Sequence, residues 1–181
     1  MTGALLIVVV FLAILTVGNV LLLFAVIRRL RQLQELVVPS ALVPAIGTAV
    51  KPFRFETVDG TSVTTDDALA GGPVLVAVLS DTCPACQAMT GEIAALTVPS
   101  SAPVVLVVTD PQHDSSKLLQ ALRGMDHVAI IGREHPALEA LGGITAFPTV
   151  LAVRDGKIIS SGTRLDKVLP ALRERPPVAA R

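Results

Sequence analysis

The fold of this chain is decided by the stretch Val74-Leu75-Val76-Ala77-Val78-Leu79-Ser80-Asp81-Thr82-Cys83-Pro84-Ala85-Cys86. Its first six residues form a continuous, valine-rich apolar run, which predicts a strand buried on both faces of a sheet. The residues from Cys83 to Leu96 favour a helix, and Pro84 fits the first helical position, where its missing N–H is not needed. The stretch therefore predicts a buried strand that leads into a helix carrying two cysteines at its start.

The spacing of the two cysteines predicts redox chemistry. Cys83 lies where unpaired backbone amides and the helix dipole stabilise a thiolate over a thiol. Cys86 lies one turn further on the same face, about 5–6 Å away, within the range of a disulfide. We therefore expect Cys83 to attack a partner disulfide and Cys86 to release the partner. Asp81 is a like charge that would oppose the thiolate, and its simplest interpretation is a loop acid before the helix.

The alternative interpretation of the cysteine pair is that it supplies half of the ligands of a metal site. Two cysteines cannot supply the four ligands of a structural zinc site. The chain offers His113, His127 and His135 as further ligands, but none stands at a local metal-ligand spacing. We therefore predict no metal and no cofactor, and we interpret the histidines as surface or loop residues. A metallochaperone that uses the cysteine pair and a histidine stays as an alternative function.

An apolar segment precedes the domain. The run from Ala4 to Ile27 covers about 24 residues and would form a helix of roughly 36 Å, enough to cross a bilayer. No positive charge precedes the run, and Arg28-Arg29-Leu30-Arg31 follows it where a cleaved signal peptide would have small residues. We therefore predict that residues 1–27 form an uncleaved signal anchor, a single transmembrane helix.

Prolines and composition divide the rest of the chain. Residues 28–51 are predicted to form a juxtamembrane helix as far as Leu36 and then a stalk, because Pro39 and Pro44 break a helix. Residues 52–175 form the predicted domain, and residues 176–181 a disordered tail. The net charge is zero, and the chain has neither Trp nor Tyr. Nucleic acid is therefore not a predicted partner.

Strands and helices alternate through the predicted domain. In chain order we expect a hairpin around Asp59-Gly60, a short helix at 66–70, the strand and helix quoted above, a strand at 104–108, a helix at 114–125, a strand at 128–131, a helix at 136–141, a hairpin around Asp155-Gly156 and a helix at 165–173. Asp114 or Ser115 would cap the helix at 114–125. This order predicts an α/β fold with a mixed sheet flanked by helices on both faces.

The combination of motifs resembles the thioredoxin superfamily, in particular its membrane-anchored TlpA/ResA branch. The resemblance covers Pro52 to about Arg173. It is carried by the strand that leads into Cys83-Pro84-Ala85-Cys86, then Phe147-Pro148-Thr149 before a second apolar strand, then Asp155-Gly156-Lys157 and Ser161-Gly162.

The resemblance implies a thiol–disulfide oxidoreductase in which Pro148 is cis and faces the cysteines. The backbone around Phe147 would then pair with an extended segment of the substrate. Two residues depart from the thioredoxin pattern: Thr82 replaces the usual tryptophan, and Ala77 replaces a buried acid that helps proton transfer to the second cysteine. A cytosolic thioredoxin role is therefore not expected.

A closer resemblance is to the methylamine-utilisation accessory proteins of the MauD type, through Arg31-Gln32, Pro39-Ser40-Ala41-Leu42 and Cys83–Cys86. It implies an accessory factor that matures one partner enzyme as an alternative function. Partners would be protein dithiols or disulfides, with a membrane electron donor or acceptor protein. The family's domains are extracytoplasmic, whereas the three arginines after the span favour a cytoplasmic domain. Because large domains can be translocated despite local charge, we expect an extracytoplasmic domain on a cell-membrane anchor.

Overall fold

The structure is a computed structural model that describes residues 2–36, 43–70, 72–96, 102–112 and 114–173. The chain divides into two compact units, residues 1–39 and residues 40–181. The predictions made for Pro39, His113 and the tail 176–181 concern residues outside the described ranges.

The first unit consists of helix α1, Thr2–Leu36. The helix continues without a break through residues 28–36, the segment predicted as a juxtamembrane helix. Its segment Val10–Arg29 is long and apolar enough to cross a membrane, and a signal sequence near the N-terminus would meet the same criterion. The large apolar side chains that the structure describes in this helix, between Ile7 and Ile27, are exposed.

A five-stranded sheet forms the centre of the second unit. Its strands are β3 (Val74–Ser80), β4 (Val104–Val108), β5 (His127–Ile131), β6 (Thr149–Arg154) and β7 (Lys157–Gly162), in the order β5-β4-β3-β6-β7. The pairs β3–β4 and β4–β5 are parallel, whereas β3–β6 and β6–β7 are antiparallel. The predicted mixed sheet is therefore confirmed.

Helices cover both faces of this sheet. They are α2 (Thr65–Ala68), α3 (Pro84–Ala94), α4 (Ser116–Ala121), α5 (Pro136–Ala140) and α6 (Leu165–Arg173). Alternate residues of β3 point to opposite faces. Leu75, Ala77 and Leu79 pack in one core with residues of α3, α4 and α6, whereas Val74, Val76 and Val78 pack in another with residues of α2 and α5.

The strands β1 (Arg54–Glu56) and β2 (Ser62–Thr64) form a separate hairpin. Its turn passes through Gly60, whose φ of 78° favours glycine. The N–H of Val58 donates to the carbonyl of Val128 at 2.8 Å, which attaches the hairpin to the edge strand β5.

Helix α4 is shorter than the sequence predicts. The prediction covered 114–125, but the helix runs from Ser116 to Ala121. The chain turns at Gly124 with a φ of 90°, a conformation that no right-handed helix contains. Ser115 is the N-cap residue of this helix but makes no side-chain cap hydrogen bond, and a carboxylate oxygen of Asp114 accepts the N–H of Ser116 at 2.9 Å.

Part of the predicted stalk is hydrogen-bonded to the sheet. The N–H groups of Gly47 and Val50 donate to carbonyls of the β7 hairpin at 2.7 and 2.8 Å, and Ile158 N–H donates to the carbonyl of Thr48 at 3.0 Å. Pro44 is buried against Gly142, where an added Cβ would lie 2.8 Å from the proline Cβ. This segment therefore covers the β7 edge of the sheet.

The contact between Pro44 and Gly142 can be tested with a neighbouring glycine as a matched control. Gly142 and Gly143 both have positive φ, but nothing lies within 4 Å of a Cβ added at Gly143. We expect Gly142→Ala to lower the free energy of unfolding of residues 40–181 by about 1–3 kcal/mol more than Gly143→Ala, because the methyl group overpacks the site. Denaturant unfolding measures both values, and the difference should disappear in a Pro44→Gly background. Equal losses for the two variants would show that Pro44 does not restrict this position.

Candidate active site

Cys83 lies where β3 ends and α3 begins. It is the N-cap residue of α3, with an extended backbone, and Pro84 occupies the first turn. The N–H of Cys86 donates to Cys83 Sγ at 3.3 Å, so the sulfur accepts a hydrogen bond from one of the unpaired amides at the helix start. The predicted arrangement of strand, cysteine pair and helix is therefore confirmed, and both cysteines are free thiols.

Phe147 and Pro148 lie beside this cysteine. The peptide bond between them is cis, as the family resemblance implied. The thiol of Cys83 donates to the carbonyl of Phe147 with an S–O distance of 3.6 Å. The hydroxyl of Thr149 donates to the carbonyl of Ala146 at 2.8 Å and so braces the turn that contains the cis bond. The fold thus brings Cys83 to Phe147 and Pro148, which are distant in sequence.

Cys86 has a different environment. Its side chain is fully buried, in the same apolar cluster as Ala77 and Met89. The N–H of Ser80 donates to its sulfur at 3.3 Å. Burial, together with a hydrogen bond to Cys83, raises the pKa of Cys86 to about 12. The second cysteine is therefore a neutral thiol at physiological pH, whereas Cys83 is partly exposed.

Asp81 has a structural role that its sequence context did not predict. The side chain is buried, and its Oδ2 accepts the N–H of Asp110 at 3.1 Å. Its own N–H donates to the carbonyl of Val108 at 3.2 Å, and its carbonyl accepts from Gln87 Nε2 at 3.3 Å. Asp81 therefore ties the loop before Cys83 to the end of β4. Within the described part of the chain, Oδ1 of this carboxylate is buried without a hydrogen-bond partner.

The histidines that the structure describes do not join the cysteines. Nδ1 of His135 accepts the N–H of Ala137 at 3.2 Å and caps α5. Burial lowers the pKa of His135, which favours the neutral ring that this cap needs. His127 begins β5. In the described ranges, no three His, Cys, Asp or Glu side chains are grouped so that they could hold a metal ion.

Comparison with known proteins agrees with this geometry. The Redoxin family profile matches residues 45–171 of the chain. No curated protein matches this chain.

Three solved structures show the likeness in fold. A thioredoxin domain of a thiol-disulfide oxidoreductase from Bacteroides vulgatus is 19% identical, with a TM-score of 0.55 over 71% of this chain and 95% of that one. A thiol:disulfide interchange protein from Bacteroides sp. is 19% identical, with a TM-score of 0.55 over 71% of this chain and 88% of that one. A thio-disulfide isomerase from Thermus thermophilus is 18% identical, with a TM-score of 0.50 over 71% of this chain and 94% of that one. At these identities the likeness establishes the fold, which is thioredoxin-like.

The raised pKa of the buried Cys86 thiol predicts how the free energy of unfolding depends on pH. The folded state holds this proton up to a pH of about 12, whereas an unfolded thiol loses it near 9. The stabilisation is therefore complete below pH 9 and is lost as the pH rises toward 12. For residues 40–181 under reducing conditions, we expect the free energy of unfolding to fall by about 1 kcal/mol per pH unit more steeply in the wild type than in Cys86→Ala between pH 9 and 10.5. Denaturant titrations at three pH values measure the two slopes, and parallel slopes would contradict the assignment.

Proposed function

The chain belongs to the Redoxin family, and on that basis we propose that it is a thiol–disulfide oxidoreductase that exchanges disulfides with partner proteins through Cys83 and Cys86. The observation that carries the proposal is the asymmetry of the pair. Cys83 is partly exposed at a helix start and contacts Phe147, while Cys86 is buried and donates its N–H to the Cys83 sulfur. A partner can therefore reach one sulfur, and the other is positioned behind it.

The proposed cycle has two exchange steps. The Cys83 thiolate attacks one sulfur of a partner disulfide, so that a Cys83–partner disulfide forms and the partner's other sulfur leaves as a thiolate. Cys86 then attacks the Cys83 sulfur, and the second partner sulfur leaves and takes up the proton that Cys86 gives up. The protein ends as a disulfide and the partner as a dithiol, with two electrons transferred. The same steps in reverse oxidise a partner, and a membrane electron donor or acceptor protein would regenerate the starting state.

Three further residues would support the exchange. Pro84 starts α3 and leaves the amides around Cys83 available. The backbone at Phe147 and the buried Pro148 would align an extended partner segment beside Cys83 by strand addition. The hydrogen bond from the Cys83 thiol to Phe147 O supports this placement, because it puts the pairing segment next to the reactive sulfur.

The proposal includes a membrane tether with the domain outside the cytoplasm. The length and apolar surface of α1 support the tether, and the resemblance to the TlpA/ResA branch supports the extracytoplasmic side. The resemblance to MauD-type accessory proteins, and with it maturation of one partner enzyme, stays a prediction.

A trapping experiment tests the proposed chemistry. In Cys86→Ser, the exchange should stop after the first step, and partner proteins should accumulate as mixed disulfides with Cys83. Non-reducing electrophoresis of membranes should show these adducts, and reductant should remove them. The matched control Cys83→Ser should give none, because Cys86 is buried. Unchanged biological function with both cysteines replaced by serine would show that the cysteine chemistry is not the function.

The reduction potential of the Cys83–Cys86 pair indicates whether the protein reduces or oxidises its partners. A value near −270 mV is typical of a reductase, and a value near −120 mV is typical of an oxidant.

The side of the membrane can be tested with the protein's own cysteine. In Cys86→Ser, Cys83 is the remaining thiol of the chain and is partly exposed. We expect a membrane-impermeant maleimide to label this variant in intact cells to the same extent as in permeabilised cells. Labelling that requires permeabilisation would place the domain in the cytoplasm, in agreement with the arginines after the span.

A further inference from the structure

A groove runs along α3 beside the cysteine pair. It has a volume of about 350 Å³. One wall is a stripe of α3 side chains, Ala85, Ala88, Met89 and Glu92, and the other wall consists of Pro148 and residues 163–166. The groove therefore begins at the residue between the two cysteines and at the cis proline. It continues away from them along the helix.

The length of the groove corresponds to a short piece of extended chain. The residues of the stripe share one face of α3, because they follow the 3.6-residue period. Glu92 is seven positions after Ala85, which is about 10 Å along a helix. An extended segment covers about 10 Å with three residues. A partner segment whose reactive cysteine bonds Cys83 and lies level with Ala85 would thus bring its third residue from that cysteine level with Glu92.

The floor of the groove is apolar. Met89 and Leu165 are buried beneath it, and the methyl groups of Ala85 and Ala88 are exposed along its wall. The small alanine side chains leave the space that an apolar side chain of the partner could occupy. Methionine adapts its shape to the group that contacts it.

The charge at the far end of the groove is not balanced. In the described part of the chain, the carboxylate of Glu92 takes part in no hydrogen bond or ion pair, and the side chain is exposed. Arg164 on the opposite wall is already paired, since its Nε lies 3.2 Å from Oδ1 of Asp166. The lining side chains therefore leave one uncompensated negative charge in the groove.

From this juxtaposition we propose that Glu92 is a specificity-determining residue of the proposed exchange reaction. It selects partner segments that carry a lysine or arginine about three residues from the cysteine that reacts with Cys83, with an apolar side chain between them over Ala88 and Met89. The proposal rests on the proposed function. It adds the class of partner, a basic and apolar extended segment.

Three synthetic peptides test the proposal on the full-length reduced protein in detergent. Each has a central cysteine, an alanine and then a leucine on both sides, and a lysine, glutamine or glutamate at the third position on both sides. The cysteine carries 2-nitro-5-thiobenzoate as a mixed disulfide. Attack by Cys83 on the peptide sulfur releases this aromatic thiolate, because the leaving group with the lower pKa departs faster. Its absorbance gives the second-order rate constant.

We expect the lysine peptide to react about fivefold faster than the glutamate peptide at low ionic strength, with the glutamine peptide between them. The preference should shrink in 1 M salt, because salt screens exposed charges. In Glu92→Gln the lysine and glutamate peptides should react at rates within a factor of two. The control Glu56→Gln removes the same charge from an exposed position in β1 and should keep the full preference.

Two results would overturn the proposal in different ways. Equal rates for all three peptides with the wild type, or a preference that survives Glu92→Gln, would remove the role of Glu92 and leave the exchange reaction in place. Failure of every peptide to release the aromatic thiolate, with a free thiol at Cys83 verified by mass spectrometry, would overturn the exchange reaction itself and the role of Glu92 with it.

Discussion

The pairing of β3 with β6 is the constraint on which the candidate site depends. Val78 pairs with Thr149, so Phe147 and Pro148, which precede β6, lie next to the residues that follow β3. That register places the Phe147 carbonyl 3.6 Å from the sulfur of Cys83. A slip of one residue would move the carbonyl by about 3.4 Å along the strand and break the contact. It would also exchange the side chains of β6 between the two cores, so both packing and the site depend on one register.

The difference in exposure between the two cysteines follows from helix geometry and burial. A residue at the N-cap lies at the open end of the helix, and the residue three positions later lies over the sheet. Cys83 is accordingly partly exposed, and Cys86 is fully buried in the cluster that contains Ala77. Since Ala77 offers no acceptor, Cys83 is the titratable side chain that hydrogen-bonds Cys86 within the described residues.

Local patterns in the sequence were enough to predict most of the fold. The valine-rich runs predicted β3 and β4 because apolar runs of that length are buried strands, and the Asp-Gly pairs predicted both hairpins because these residues favour the turn. The cysteine spacing predicted the pair at the start of α3. Helix α4 was predicted too long, because its apolar spacing continues through Met125 while the backbone already turns at Gly124. The spacing of apolar residues indicates which side chains face the core. A turn whose apolar side chains pack against the core can have the same spacing as a helix.

The features that could not be predicted join residues that are far apart in sequence. Asp81 meets the backbone of Asp110 across 29 positions. The contact exists because Ser80 pairs in parallel with Val108, which brings the first residues after both strands to one edge of the sheet. No local pattern contains that register, and Asp81 therefore resembled an ordinary loop acid. Once β3 and β4 are known to be parallel neighbours, a carboxylate directly after one of them has backbone N–H groups of the next loop within reach. The parallel pairing of β3 and β4 therefore explains why a carboxylate at this position is buried. Its hydrogen bond to the next loop fixes the loop that carries Cys83.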